Sequence, residues 1–267
     1  MASLKERYGN WALVAGAAEG IGEGFTTVLA ASGFNIILAD RNEQAMQALA
    51  LKTGREYHVE TVLIHLDLAR EDAAAQCLKA VTATGCRLMV YVAAYSRVCR
   101  FTDLATSDLD SFLAVNTNTL LRLVHSFSSM LTRTGNGGGI VLVSSLAGLI
   151  GPQYVATYAA TKSFSIRLAE ALHDEMKTNG IDITVCCAGT VSTPTYWKSN
   201  PNFDRMKPSF VEASQVAAYS LKHLGRKVVA IPGLTNRLQY FFLRQVIPIW
   251  YARRLVNDAM KNMYGKL

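Results

Sequence analysis

Nowhere in the 267 residues do the ~18 consecutive apolar residues needed to cross a bilayer run together. The opening segment Met1–Tyr8 is short and mixed in charge, without the apolar core or cleavage site of a signal peptide, so a cytoplasmic location is expected. The five cysteines, Cys77, Cys86, Cys99, Cys186 and Cys187, form no CxxC pair and no metal-ligand spacing. Their pattern excludes a zinc site and fits buried, reduced thiols; no metal is expected. No internal repeat and no Gly/Ser/Pro-rich linker divides the chain, which argues for one domain. Only 18% of residues are charged while 50% are hydrophobic, a balance that excludes a disordered chain.

Acidic residues are scarce at one end. From residue 195 onward there are twelve lysines and arginines against only Asp204, Glu212 and Asp258, so the net charge of +7 is concentrated in the last quarter. Any anionic partner should meet that quarter. The basic residues belong to no recognised nucleic-acid module, and nucleic-acid binding is not expected.

What is present is a regular alternation. Short apolar runs at Trp11–Ala15, Asn35–Ala39, Glu60–His65, Leu88–Ala93, Ile140–Ser144, Asp182–Cys187 and Val228–Ile231 read as strands, and their apolar continuity suggests burial on both faces. Segments of helical period lie between them, near 21–32, 42–53, 70–83, 106–132, 154–178 and 212–223. This order predicts right-handed βαβ units and a doubly wound α/β fold with a seven-stranded parallel sheet and helices on both faces. Two stretches break the rhythm. Residues 189–210 form a long Pro- and aromatic-rich connection of the kind that often closes over a site. Residues 234–267 are helical in pattern and mix Phe241, Phe242, Leu243, Ile249, Trp250 and Tyr251 with arginines.

The first strand runs into Ala15-Gly16-Ala17-Ala18-Glu19-Gly20-Ile21-Gly22 and then a helix. Glycines there permit a tight turn, and the helix N-terminus offers free N–H groups and a favourable dipole to a pyrophosphate. The second strand ends at Asp40-Arg41. A carboxylate at that distance can accept hydrogen bonds from an adenosine ribose and repel a 2′-phosphate, whereas Arg41 could clasp one. Glu19 adds a second acid, so NAD(H) is favoured over NADP(H). Asp67, after the third strand, is placed to reach an adenine edge or to cap a helix.

Tyr158 and Lys162 fall one turn apart on one helical face. An ammonium beside a phenol is expected to stabilise the phenolate and move its pKa from ~10 toward neutrality. Ser145 lies thirteen residues earlier, at the carboxyl end of a predicted strand, where ligands collect. The glycine turn, Asn116, Ser144-Ser145, Tyr158xxxLys162 and Gly189-Thr190-Val191-Ser192-Thr193-Pro194 occur together in an order that resembles the short-chain dehydrogenase/reductase family, over residues 8–232. The opening Tyr8-Gly9-Asn10-Trp11, the Tyr91-Val92-Ala93 run and Lys162-Ser163-Phe164 are similar to bacterial hydroxysteroid (bile-acid) dehydrogenases.

That resemblance implies a Rossmann domain over 1–233 with a substrate lid about 189–210, and a basic amphipathic helical extension over 234–267. It implies Tyr158 as general acid/base and Ser145 as a hydrogen-bond donor to the reacting oxygen. Lys162 would hold the nicotinamide ribose, Asn116 would anchor a water and proton path, and Thr193 would orient the carboxamide. Gly16, Glu19, Gly20, Ile21, Gly22, Asp40, Arg41, Asp67, Leu68, Ala93 and Val191 would contact the rest of the dinucleotide. The family's Asn-Asn-Ala-Gly is here Tyr91-Val92-Ala93-Ala94, its Pro-Gly is Ala188-Gly189, and its opening Thr is Ala15. These departures touch the cofactor loops and leave the chemistry in place. The long helices 106–132 and 154–178 imply a homodimer or homotetramer.

Substrate walls are expected from Tyr95, Leu146, Leu149, Ile150, Tyr154, Tyr196, Trp197, Phe203 and Phe210, with fixed charges only from Lys198, Arg205 and Lys207. They suit a bulky apolar ketone or secondary alcohol such as a steroid or lipid, including 3-oxoacyl compounds. Three uses fit 234–267: packing on the domain or another subunit, peripheral contact with an anionic membrane, or an entrance for an acidic amphiphile. A non-catalytic dinucleotide sensor would not need the Asn/Ser/Tyr/Lys set. An epimerase would need an added substrate domain, and a methyltransferase has no use for a tuned phenol.

Overall fold

The structure is a computed structural model that describes residues 3–203 and 208–265. It is a single α/β domain. In chain order the elements are α1 (Leu4–Tyr8), β1 (Trp11–Ala15), α2 (Ile21–Ala31), β2 (Asn35–Asp40), α3 (Glu43–Tyr57), β3 (Thr61–His65), α4 (Ala73–Thr84), β4 (Leu88–Tyr91), α5 (Thr106–Leu113), α6 (Leu120–Thr134), β5 (Gly138–Ser145), α7 (Ala147–Ile150), α8 (Ala156–Lys177), β6 (Ile181–Ala188), α9 (Pro194–Lys198), α10 (Ala213–His223), β7 (Val229–Ala230), α11 (Leu234–Phe241) and α12 (Ile249–Tyr264). All strands are parallel, in the order β3-β2-β1-β4-β5-β6-β7.

Period-two alternation sorts the core. Leu13, Ile37, Met89 and Ile140 face one side, where Val81 of α4, Phe127 of α6 and Ile166 of α8 cover them. Val14, Ile36, Leu38, Val90 and Val141 face the other, against Phe25 and Leu29 of α2, Met46 of α3 and Leu221 of α10. Covering both faces requires the near-continuous apolar runs seen in the sequence. β3 departs from that expectation: it is an edge strand, only partly buried, with Leu63 40% exposed. β1 pairs with β2 on one side and β4 on the other, so connections wind in opposite directions from it. A crevice at the carboxyl ends of β1 and β4 follows from this topology, and such crevices hold ligands.

Other differences are local. The helix expected over 106–132 is interrupted by a π-helical turn, Ala114–Thr119, between α5 and α6. The one expected from 154 begins at Ala156, because Tyr154 takes a left-handed φ of 66°. β4 ends at Tyr91, two residues early, and β7 keeps two residues. Within 189–210 the chain forms α9, capped by Thr193, whose hydroxyl accepts from Tyr196 N at 3.2 Å. In 234–267, α11 continues through a π turn, Phe242–Val246, and Pro248 starts α12. No helix among the described residues is long and apolar enough to cross a membrane.

Candidate active site

The glycine turn after β1 is shaped by its neighbours. Gly16 has φ +84°, and a Cβ on it would stand 2.6 Å from Ala93 N, so only glycine lets the β1 and β4 loops close on each other. Gly20, at φ +58°, would press a Cβ to 2.8 Å from Thr193 Cγ2. The turn therefore abuts both the β4 loop and the segment after β6. At the far end of the crevice, Asp40 accepts from Ala18 N and Asn42 N, both at 3.0 Å. Glu19 accepts from the Asn42 side chain at 2.7 Å. Two carboxylates are thus held beside the turn by a common neighbour, while Arg41 is exposed.

The second cluster forms where β5 meets α8. Ser145 ends β5, and its Oγ accepts from Ala147 N at 3.2 Å. Tyr158, on the first turn of α8, faces Ser145, whose hydroxyl acts to lower the phenol's pKa. Lys162 is 4% exposed and donates to Val143 O at 2.8 Å. Its backbone carbonyl accepts from Ser144 Oγ at 2.8 Å and Ser165 Oγ at 2.9 Å, which ties α8 to β5.

The charge states differ from the expectation. Loss of hydration raises the Tyr158 phenol, and the Ser145 hydroxyl only partly offsets the rise. Burial also lowers the Lys162 ammonium to about 8. The ammonium lies 5.7 Å from the Tyr158 ring centroid and spends a proton on Val143 O. Before cofactor binds, desolvation therefore outweighs the cation's pull on the phenol, and both groups are biased toward neutrality.

Asn116 sits in the π turn. Its Oδ1 accepts from Tyr95 N at 2.7 Å, and its Nδ2 donates to Tyr95 O at 3.0 Å and Thr161 Oγ1 at 3.0 Å. Tyr95 in turn donates its hydroxyl to the buried Asp108 at 2.5 Å, and Arg97 pairs with the other Asp108 oxygen at 2.7 Å. The Tyr95 hydrogen bond and the Arg97 charge hold the Asp108 carboxyl below its usual range.

One cavity of about 1150 Å³ joins these parts. Gly16, Glu19, Gly20, Ile21, Asp40, Arg41, Asp67, Leu68, Ala93, Tyr95, Ser145, Tyr158, Lys162, Val191, Thr193 and Tyr196 line it. Gly22 lies behind the turn, and Asn116 is buried behind Tyr95. Tyr154 borders a separate small pocket with Cys99 and Phe112. Trp197 is 49% exposed; its Nε1 donates to Ser192 Oγ, and it stacks with Phe210 outside the cavity. Among the other expected walls, Leu146, Ile150 and Lys198 line the cavity, whereas Leu149, Phe203 and Phe210 do not. Arg205 and Lys207, like Asp204, lie outside the described residues.

A whole wall was not expected in detail. Thr235, Gln239 and Leu243 from the α11 region and Val256, Met260, Met263 and Tyr264 from α12 form a further wall of the cavity. The buried Asn236 anchors α11: it donates to Pro232 O at 2.9 Å and packs so tightly on Gly189 that a Cβ there would fall 2.4 Å from its amide. Gln153 holds α12 through Asn257, at 3.0 and 2.6 Å. The alternation of apolar and basic residues was the available signal, but it does not say which face turns inward.

The family profile described as short chain dehydrogenase matches residues 10–203. The chain belongs to that family of oxidoreductases, which bind nicotinamide cofactors and act on small molecules. It is 26% identical over 238 residues to a 7beta-hydroxysteroid dehydrogenase of Collinsella aerofaciens, covering 88% of this chain and 90% of that enzyme. It is 23% identical over 276 residues to a very-long-chain 3-oxoacyl-CoA reductase of Scheffersomyces stipitis, covering 97% of this chain and 78% of that one. A solved 7beta-hydroxysteroid dehydrogenase superposes with a TM-score of 0.85 at 25% identity, over 96% of this chain and 99% of the other.

Proposed function

We propose that this protein transfers hydride between a nicotinamide cofactor, NAD(H) in preference to NADP(H), and a ketone or secondary alcohol on a bulky apolar frame such as a steroid. The observation that carries the proposal is the continuity of one cavity from the glycine turn, past Ser145, Tyr158 and Lys162, to the apolar wall of α11 and α12. The residues present fit a dinucleotide. A Cβ at Gly16 or Gly20 would fill the cradle, and Asp40, Glu19, Asp67 and Leu68 surround the adenosine end. Two carboxylates beside one exposed arginine would disfavour a 2′-phosphate. The Thr193 hydroxyl accepts from Tyr196 N and keeps its proton for a carboxamide.

When bound, the nicotinamide supplies hydride to a carbonyl carbon or accepts it from a carbinol carbon. In the reducing direction the Tyr158 phenol donates its proton to the carbonyl oxygen as that oxygen gains charge, leaving a phenolate. Ser145 donates a hydrogen bond to the same oxygen and stabilises the charge as it develops. Lys162, buried beside the ring, stabilises the phenolate that remains. Asn116 acts by positioning: its amide holds the Tyr95 backbone and Thr161, one residue from Lys162.

The lining favours a large apolar substrate, with Ile150, Leu243, Val256, Met260 and Met263 in its walls. The described parts of the 189–210 connection, 189–203 and 208–210, serve as its lid, and copies pair through α5, α6 and α8, where Leu113 and Leu121 are exposed. A second substrate class, long-chain 3-oxoacyl thioesters, is favoured by the 3-oxoacyl-CoA reductase relative and by the same apolar wall. Initial rates with NAD⁺ and NADP⁺ against hydroxysteroids, 3-hydroxyacyl thioesters and small polyols test both. Turnover of a steroid with NAD⁺ is expected. Rapid turnover of polyols with none of the apolar compounds would overturn the substrate class.

A further inference from the structure

The outer faces of α11 and α12 carry an apolar surface that no described residue covers. Leu234, Leu238, Phe241 and Phe242 fall on one stripe of the α11 region, and Ile249, Trp250 and Leu255 are exposed on the neighbouring α12, each of the seven between 42% and 66% exposed. Scattered exposed hydrophobics are ordinary, but four large ones along one helical stripe, with three more on the next helix, mark an interaction surface. Three of its members, Leu238, Phe242 and Leu255, also line the large cavity. The patch therefore borders the mouth of the site.

Its electrostatic rim is mainly basic. Arg237, Arg253, Arg254 and Lys261 are exposed around it, and the only acid between residues 234 and 267 is Asp258. Trp250, 66% exposed, is the residue type that favours a membrane–water boundary, with an apolar ring and a polar N–H. A second copy is the poorer occupant. A two-fold contact through this face would bring each arginine rim toward its own kind in a low-dielectric interface.

We infer that the α11–α12 face docks on an anionic lipid surface, laying the cavity mouth against the membrane so that an apolar substrate enters without crossing water. The apolar side chains bury into the headgroup boundary, and the cationic rim meets lipid phosphates. Docking itself rests on the surface alone. Its use in substrate delivery rests on the apolar-substrate proposal above.

The test uses the full chain and sedimentation with vesicles of phosphatidylcholine, with and without phosphatidylglycerol. Binding is expected only with phosphatidylglycerol and should weaken as salt rises. R253E/R254E should lose about tenfold or more in vesicle affinity, and F241S/W250S should lose binding altogether. Brominated lipid should quench the fluorescence of the native chain and spare that of W250F. Unchanged thermal unfolding of each variant shows that the fold is kept, and neither pair of substitutions touches the cavity. Since binding is read without turnover, failure of the substrate assignment leaves this result standing.

Absence of binding to anionic vesicles, or equal binding to phosphatidylcholine alone, overturns the proposal. Light scattering gives a further decisive outcome. If F241S/W250S splits an oligomer that does not bind vesicles, the occupant is a second copy and the lipid surface is excluded.

Discussion

Asn116 holds Tyr95 by both of its backbone polar groups, accepting from Tyr95 N at 2.7 Å and donating to Tyr95 O at 3.0 Å. A side-chain amide carries a donor and an acceptor on separate atoms, so it can do both at once. The consequence is that a residue on the cavity wall is set from the π turn, and that the same amide reaches Thr161 beside Lys162. Substrate wall and catalytic helix are thereby tied to one buried side chain.

Replacing Asn116 with Ala leaves the Tyr95 N–H and carbonyl without their partner. A loss of about 1–3 kcal/mol in stability is expected from unpaired buried polar groups, measured by urea unfolding. KM should rise along with the fall in kcat, because the Tyr95 wall moves. A variant with unchanged KM and unchanged stability would show that Asn116 does not position Tyr95.

Tyr158→Phe removes the proton that the carbonyl oxygen needs. Turnover should fall by about 10²–10⁴-fold, while dinucleotide affinity, followed by fluorescence titration, stays within a few-fold. Ser145→Ala should lose about 10²-fold or more, since one donor to the developing oxyanion disappears. Retention of most activity in Tyr158→Phe would remove the phenol from the mechanism.

Lys162 makes a signed prediction about pH. Its folded pKa of about 8 lies below the ordinary lysine value near ~10.4. Between those values the unfolded chain binds the extra proton, so stability rises with pH across that window. Below about pH 8 the cost of the buried ammonium is fully present, on the order of 3 kcal/mol. Lys162→Met should therefore be more stable than the native chain near pH 7, with the difference shrinking toward pH 10. Its catalysis should be severely impaired at every pH. Thermal unfolding across the range without cofactor measures the first part; a constant difference between the two proteins would sink it.

Asp40→Ala should lower kcat/KM with NAD⁺ and raise the ratio of NADP⁺ to NAD⁺ efficiency by about tenfold, because a repulsive carboxylate at the ribose is gone. The loop should also loosen, since Asp40 holds Ala18 N and Asn42 N. A native enzyme that already prefers NADP⁺ would contradict the reading of Glu19 and Asp40.

Much of this molecule was legible in one dimension. Runs such as Leu13–Val14–Ala15 and Ile36–Ile37–Leu38 are apolar on both alternating faces, as a parallel sheet covered by helices on each side requires. The glycine turn, Ser145 and the Tyr158–Lys162 spacing are local patterns, each contained within a strand end or one helical turn, and the cavity gathers all of them. Tertiary structure decided what depends on distant neighbours. Tyr154 and Trp197 have aromatic rings that suit a substrate wall, yet a left-handed φ directs the chain at one and a bond to Ser192 holds the other outside. The phenol's pKa is set by burial, and residue spacing carries no information on how much water the packed wall removes. The inward face of α12 could be assigned only once Gln153 had pinned Asn257, because an amphipathic pattern fixes a helix's faces without saying what each face meets.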